Sequence, residues 1–109
     1  SPLKVGHDLH HAEPRSLLGV PWWVTAIVVV ALYYGFSRIF DPAATGALMA
    51  FAWLGYIGYC FIHHSLHHFH WRNRWFVSLR RHHLLHHAKH NVNWGVSTDI
   101  WDRVFGTKV

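Results

Sequence analysis

Histidine dominates the chemistry available to this chain. There are 13, in three tight clusters. His7, His10 and His11 form the first; His63, His64, His67, His68 and His70 the second; His82, His83, His86, His87 and His90 the third. No histidine lies between His11 and His63. Neutral imidazole is the commonest protein metal ligand. Residues three or four apart share a helix face. His7, His10 and His11 read H-x-x-H-H on such a face, His83, His86 and His87 repeat the pattern, and His63 and His67 place an H-x-x-x-H between them. The set exceeds the needs of one ion, since zinc takes about four ligands and octahedral iron about six. It suits a pair of metals. Carboxylates are scarce: Asp8, Glu13, Asp41, Asp99 and Asp102 are all there are. A ferritin-like di-iron site draws on about four glutamates, so the expected centre is histidine-dominated. His64, His68, His70, His82 and His90 fall outside the repeat and are read as interfacial or supporting residues. The single cysteine, Cys60, excludes an internal disulfide and a cysteine-based zinc site.

Clusters this far apart can share a site only if the chain folds back. Residues 22–40 read WWVTAIVVVALYYGFSRIF, with Arg38 as their one charge, and residues 43–62 read AATGALMAFAWLGYIGYCFI, with none. Each is close to the ~20 residues that cross a bilayer as a helix. Asp41-Pro42 breaks the helix between them, because proline lacks an N–H and restricts the residue before it. Pro21 suits the first turn of the first helix. Trp22, Trp23 and Trp71 suit the membrane interface. The expected fold is all-α: an integral membrane helical hairpin with cytoplasmic histidine-bearing helices. Residues 1–109 form one domain, with spans at about 22–40 and 43–62 and a cytoplasmic histidine-rich region over 63–109. A soluble hairpin is disfavoured, since 109 residues could hardly bury two helices that are apolar all round.

The net charge is +5 with histidine neutral. The bases flank apolar segments, which favours anionic headgroups over nucleic acid as partner. Lys4 and Arg15 precede the first span. Arg72, Arg74, Arg80, Arg81, Lys89, Arg103 and Lys108 come after the second, and only Arg38 lies towards the other side. The positive-inside rule then puts both chain ends, and every histidine cluster, on the cytoplasmic face of an endoplasmic reticulum or bacterial inner membrane alike. After the second span, Trp71, Trp75, Phe76 and Leu79 make an apolar stripe that predicts a helix in the headgroup region. Gly95 and Gly106 are expected at turns or caps. The chain opens on Ser1 and its only Met is Met49, so it is expected to be processed or part of something longer. Its N-terminus has no signal-peptide layout.

The segments HDLHH at 7–11, HHSLHH at 63–68 and RHHLLHHAKHNVNWGVSTDIWDRVFGT at 81–107 resemble the fatty acid hydroxylase superfamily, which includes fatty acid 2-hydroxylases and sterol desaturases. The resemblance covers nearly the whole chain and is most specific in the last block. It implies metal ligands at His7, His10 and His11, at His63 and His67 with Tyr59 one turn earlier, and at His83, His86 and His87. The family's leading histidine motif, and the helix pair that usually precedes it, have no counterpart here. The resemblance therefore implies a C-terminal portion of such a protein.

The same resemblance implies a membrane-bound di-iron oxygenase. Two iron ions, with zinc as a substitute in recombinant material, would use O₂ and electrons from an external donor such as cytochrome b5 or ferredoxin. The lipid substrate, a fatty acyl chain, a sterol or a related molecule, would be hydroxylated or desaturated at an unactivated C–H. The WDRVFGT block is read as packing over the site and Tyr59 as an interfacial aromatic. The rival reading is a non-catalytic histidine-rich membrane metal-binding or transport protein. That reading predicts ligands within the spans, which hold no histidine, aspartate or glutamate. A bis-histidine haem protein would need paired histidines deep within both helices.

Overall fold

The computed structural model describes residues 1–16 and 20–109. Among these the chain is helical, without strands, and divides into two compact units, Ser1–Ile57 and Gly58–Val109.

In the first unit, Ser1 caps helix α1 (Pro2–Ala12) by accepting the Lys4 N–H at 3.3 Å. A Lys4–Asp8 ion pair one turn apart runs along its exposed face. Helix α2 (Trp22–Ser37) comes next, and none of its residues is buried. It ends three residues before the expected Phe40. Ile39 and Phe40 both turn their N–H groups back to the Phe36 carbonyl, and Pro42 keeps Asp41 from continuing the helix. The Asp41 carboxylate instead accepts the Ala44 N–H at 2.9 Å and caps helix α3 (Pro42–His68).

Helix α3 is longer than the span expected over 43–62: it continues through the second histidine cluster to His68. Nothing in the His63-His64-Ser65-Leu66-His67-His68 run breaks a helix, and Ser65 returns its hydroxyl to the Phe61 carbonyl at 2.7 Å. Among the described residues α3 is the one helix long and apolar enough to cross a membrane; α2, at 16 residues, is apolar but shorter. Phe51 is 73% exposed and Leu54 65%. An apolar surface of that kind needs cover, by lipid or by protein.

The second unit has its own small core. Leu66 from α3 packs with Phe76 and Leu79 from helix α4 (Arg74–Ala88) and with Val96, and Ile62 lies against them. Asn73 caps α4 by accepting the Phe76 N–H at 2.7 Å. The apolar stripe expected to lie among headgroups is therefore divided. Phe76 and Leu79 are core residues, while Trp71, which precedes the helix, and Trp75 stay exposed. Periodicity shows which face of a helix is apolar, but not whether lipid or protein covers it.

Candidate metal centre

Two helices bring four imidazoles together in the second unit. His63 and His67 are one turn apart near the end of α3, and His83 and His87 one turn apart on α4. The Nε2 atom of His83 lies 3.0 Å from that of His63, 2.9 Å from that of His67 and 3.1 Å from that of His87. Ligand atoms of these four all fall within 4.8 Å of one another. His67 and His83 are buried; His63 and His87 are partly exposed. The Phe76–Leu66 core sets the spacing of the two helices. Arg80 reinforces it by donating from Nε to the Leu66 carbonyl, in the last turn of α3, at 3.0 Å, where a cation also complements the helix dipole.

This donor set fits a transition metal. Imidazole nitrogens at right angles on an ion with bonds of about 2.1 Å stand about 3.0 Å apart, close to the separations around His83. No carboxylate is needed to bring them together, which suits an ion that prefers imidazole, such as iron or zinc, over a hard oxygen-seeking cation.

His86 is also buried, and its ring lies 6.1 Å from that of His83 and 6.2 Å from that of His87. Its Nδ1 is 2.8 Å from the Val92 carbonyl oxygen. A carbonyl only accepts, so the Nδ1 carries the proton of this contact. In the first unit, the Nε2 atoms of His7 and His11 approach to 3.1 Å, and the ring of His10 stands 6.1 Å from that of His11. The expected ligands thus form local groups within each unit.

The histidines outside the repeat do other things. His64 and His68 stack on each other at 4.1 Å. His70 meets Arg80 at 3.5 Å, and His90 is exposed. His82 is different: it is buried and its Nε2–H donates to Asp102 at 2.9 Å. Asp102, 1% exposed, also accepts from the Trp94 N–H, the Gly95 N–H and the Thr107 hydroxyl, each at 2.7 Å. Burial pushes its carboxyl up, but the Thr107 hydroxyl, the Gly95 N–H, His82 and the Trp94 N–H outweigh that and hold it at about 2. The carboxylate is ionised in the fold.

Asp102 and His82 are the functional candidates that spacing does not reveal. The WDRVFGT block reads as packing, and an isolated acid in it gives no period to detect. The one signal present is chemical: an acid between Trp101 and Val104-Phe105 in a short helix, α5 (Ile100–Val104), is costly unless it is paired.

Among the described residues, helices with one long apolar member bring imidazoles together into a cluster that could hold a metal ion. The family model for fatty acid hydroxylase matches residues 2–107. Over 104 residues the chain is 33% identical to a dihydroceramide fatty acyl 2-hydroxylase of Arabidopsis thaliana, covering 93% of this chain and 44% of that protein. It is 36% identical to the fatty acid 2-hydroxylase of Rattus norvegicus over 113 residues, 96% of this chain and 29% of that one. A ceramide very long chain fatty acid hydroxylase of Schizosaccharomyces pombe is 32% identical over 115 residues, 94% of this chain and 30% of that one. No solved structure matches the chain. The chain belongs to the fatty acid hydroxylase family and spans less than half the length of these relatives.

Proposed function

We propose that this chain carries the metal-binding core of a membrane lipid hydroxylase that acts on a fatty acyl chain. The observation that carries the reading is the convergence of His63, His67, His83 and His87 in a member of the fatty acid hydroxylase family. The reaction converts a C–H bond, O₂, two electrons and two protons into a C–OH group and water. The electrons come from an external carrier such as cytochrome b5 or ferredoxin. His7, His10, His11, His63, His67, His83, His86 and His87 would hold two iron ions, which would supply the activation of O₂ that no side chain here could provide. Zinc outcompetes Fe²⁺ under the general divalent order, so recombinant protein is expected to carry zinc.

The protein's own residues hold and orient. The Val92 carbonyl keeps the His86 proton on Nδ1. His63 and His67 sit at the end of the apolar helix α3, where an acyl chain can arrive from lipid and electrons from water. The names of the relatives support hydroxylation over desaturation. They also weigh against the transport reading, as does the position of the histidines outside the apolar stretch.

The test is isotopic. A protein carrying this chain, supplied with a reductant and ¹⁸O₂ in membranes, is expected to yield acyl chains bearing one labelled hydroxyl. His63→Ala or His67→Ala should abolish that product while membrane insertion persists. Two bound metals with no oxidised acyl, sterol or carotenoid product would move the metal-binding or transport reading ahead.

The topology we propose is the hairpin, with α2 and α3 as antiparallel spans and the histidines on the cytoplasmic side. Its support is the distribution of Lys and Arg. With Cys60 replaced, cysteines at positions 41 and 90 should react with a membrane-impermeant maleimide from opposite sides. Labelling of both from one side defeats the hairpin.

A further inference from the structure

The residues after α4 do more than cover it. Three bonds tie them to the helix: the Asn93 side chain donates to the His82 carbonyl at 3.3 Å, His82 donates to Asp102 at 2.9 Å, and His86 donates to the Val92 carbonyl at 2.8 Å. The segment is also closed on itself. The Asn93 N–H reaches the Thr107 carbonyl at 2.9 Å, the Thr107 N–H reaches the Asp102 carbonyl at 2.8 Å, and the Val109 N–H reaches the Asn93 side chain at 2.9 Å. Asn93 is fully buried and holds φ at 54°, a left-handed conformation that asparagine tolerates better than most residues. Asp102 is the knot, with four donors on one buried carboxylate.

We infer that residues 91–109 form a clamp that sets the rotation of α4 about its axis, with His82 and Asp102 as positioning residues for the metal ligands on that helix. Successive residues on a helix are turned by about 100°. Fixing the His82 ring against Asp102 therefore fixes the direction of the adjacent His83, and of His87 one turn on. The pair at His86 and Val92 fixes the same helix at a second point and sets a ring tautomer as well. Stability alone is a poor reason for such a network. A buried charge recovers its desolvation cost only with near-complete pairing, and well-packed apolar residues often stabilise as much. Buried polar pairing supplies direction, which apolar packing does not.

The inference rests on the metal-centre reading, and its test separates the two. Zinc affinity of the purified full chain in detergent is measured by competition with a chromophoric chelator, at a temperature where circular dichroism shows every variant folded. Cobalt is substituted in parallel to read the ligand field. Asp102→Asn and His82→Leu are expected to lower zinc affinity by about 10–100-fold, the range found when partners of ligating histidines are lost, and to shift the cobalt bands. His82→Gln, which keeps a donor towards Asp102, should recover most of the affinity. Val96→Ala is the control: it opens the same unit's core without touching these bonds, and should lower the unfolding midpoint with affinity and spectrum close to wild type. A wild-type chain that takes up no zinc defeats the metal-centre reading and the clamp with it. Normal wild-type binding with Asp102→Asn and His82→Leu unchanged, or with Val96→Ala losing as much as they do, defeats the clamp alone.

Discussion

Alanine at His83 is expected to cost more bound metal than alanine at any histidine outside the repeated motifs. Its Nε2 atom is the common neighbour of His63, His67 and His87, at 2.9 to 3.1 Å, and its side chain is 2% exposed. Removing it takes a donor from the middle of the group, and the backbone offers no replacement inside that space. Loss of a partner one bond removed from a metal already costs about 10–100-fold, so loss of a ligand should exceed about 100-fold in affinity. The matched controls are His70→Ala and His90→Ala. Both residues are exposed, and neither belongs to the groups of histidines placed to share an ion. Metal content after purification in detergent, measured by plasma mass spectrometry, should fall sharply for His83→Ala and stay near wild type for the controls. Equal losses at all three positions would mean loose chelation by a histidine-rich surface and no ordered centre.

The second large effect falls on a residue with no side chain. A Cβ placed on Gly95 would lie 2.0 Å from the Thr98 carbonyl oxygen and 2.8 Å from Oδ2 of Asp102. The nearer obstacle is backbone, so the loop itself must move. That movement pulls the Gly95 and Trp94 N–H groups away from Asp102 and leaves a buried carboxylate short of donors, which is costly in its own right. Gly95→Ala should therefore destabilise the second unit by about 3 kcal/mol or more, at the upper end of overpacking. Gly106 is the contrast. It holds φ at +68° with open space around it, so alanine there meets only backbone strain of about 1 kcal/mol. Chemical denaturation of the two variants, monitored by near-ultraviolet circular dichroism, measures both. A Gly95→Ala midpoint equal to that of Gly106→Ala would refute the close approach.

Several features are legible along the chain. The repeats at His7–His11 and His83–His87, the H-x-x-x-H at His63 and the tail block together carry the family. Spacing pairs His63 with His67 and His83 with His87 on shared helix faces, because helical periodicity is a property of neighbouring residues. His64 and His68 have the same spacing, and only the structure sets that pair stacked on itself and His67 against His83. Helix ends are less legible. α2 stops at Ser37 and α3 runs to His68, and hydropathy marks neither point: local turns and Asp41 decide the first, and uninterrupted helical bonding through histidines the second.

Composition and period indicate the kind of chemistry open to the chain: which imidazoles recur at one-turn spacing, how few carboxylates could compete with them, and which stretches are strongly apolar. Such properties need no partner in space. Folding in three dimensions is what turns Phe76 and Leu79 towards a protein core and puts His83 at the centre of its group. It also bonds Asp102, far along the chain, to His82. Hydrogen bonds and close packing are short-ranged, and the bonds are directional as well. They depend on where a chain returns to, and no spacing along the chain encodes that return.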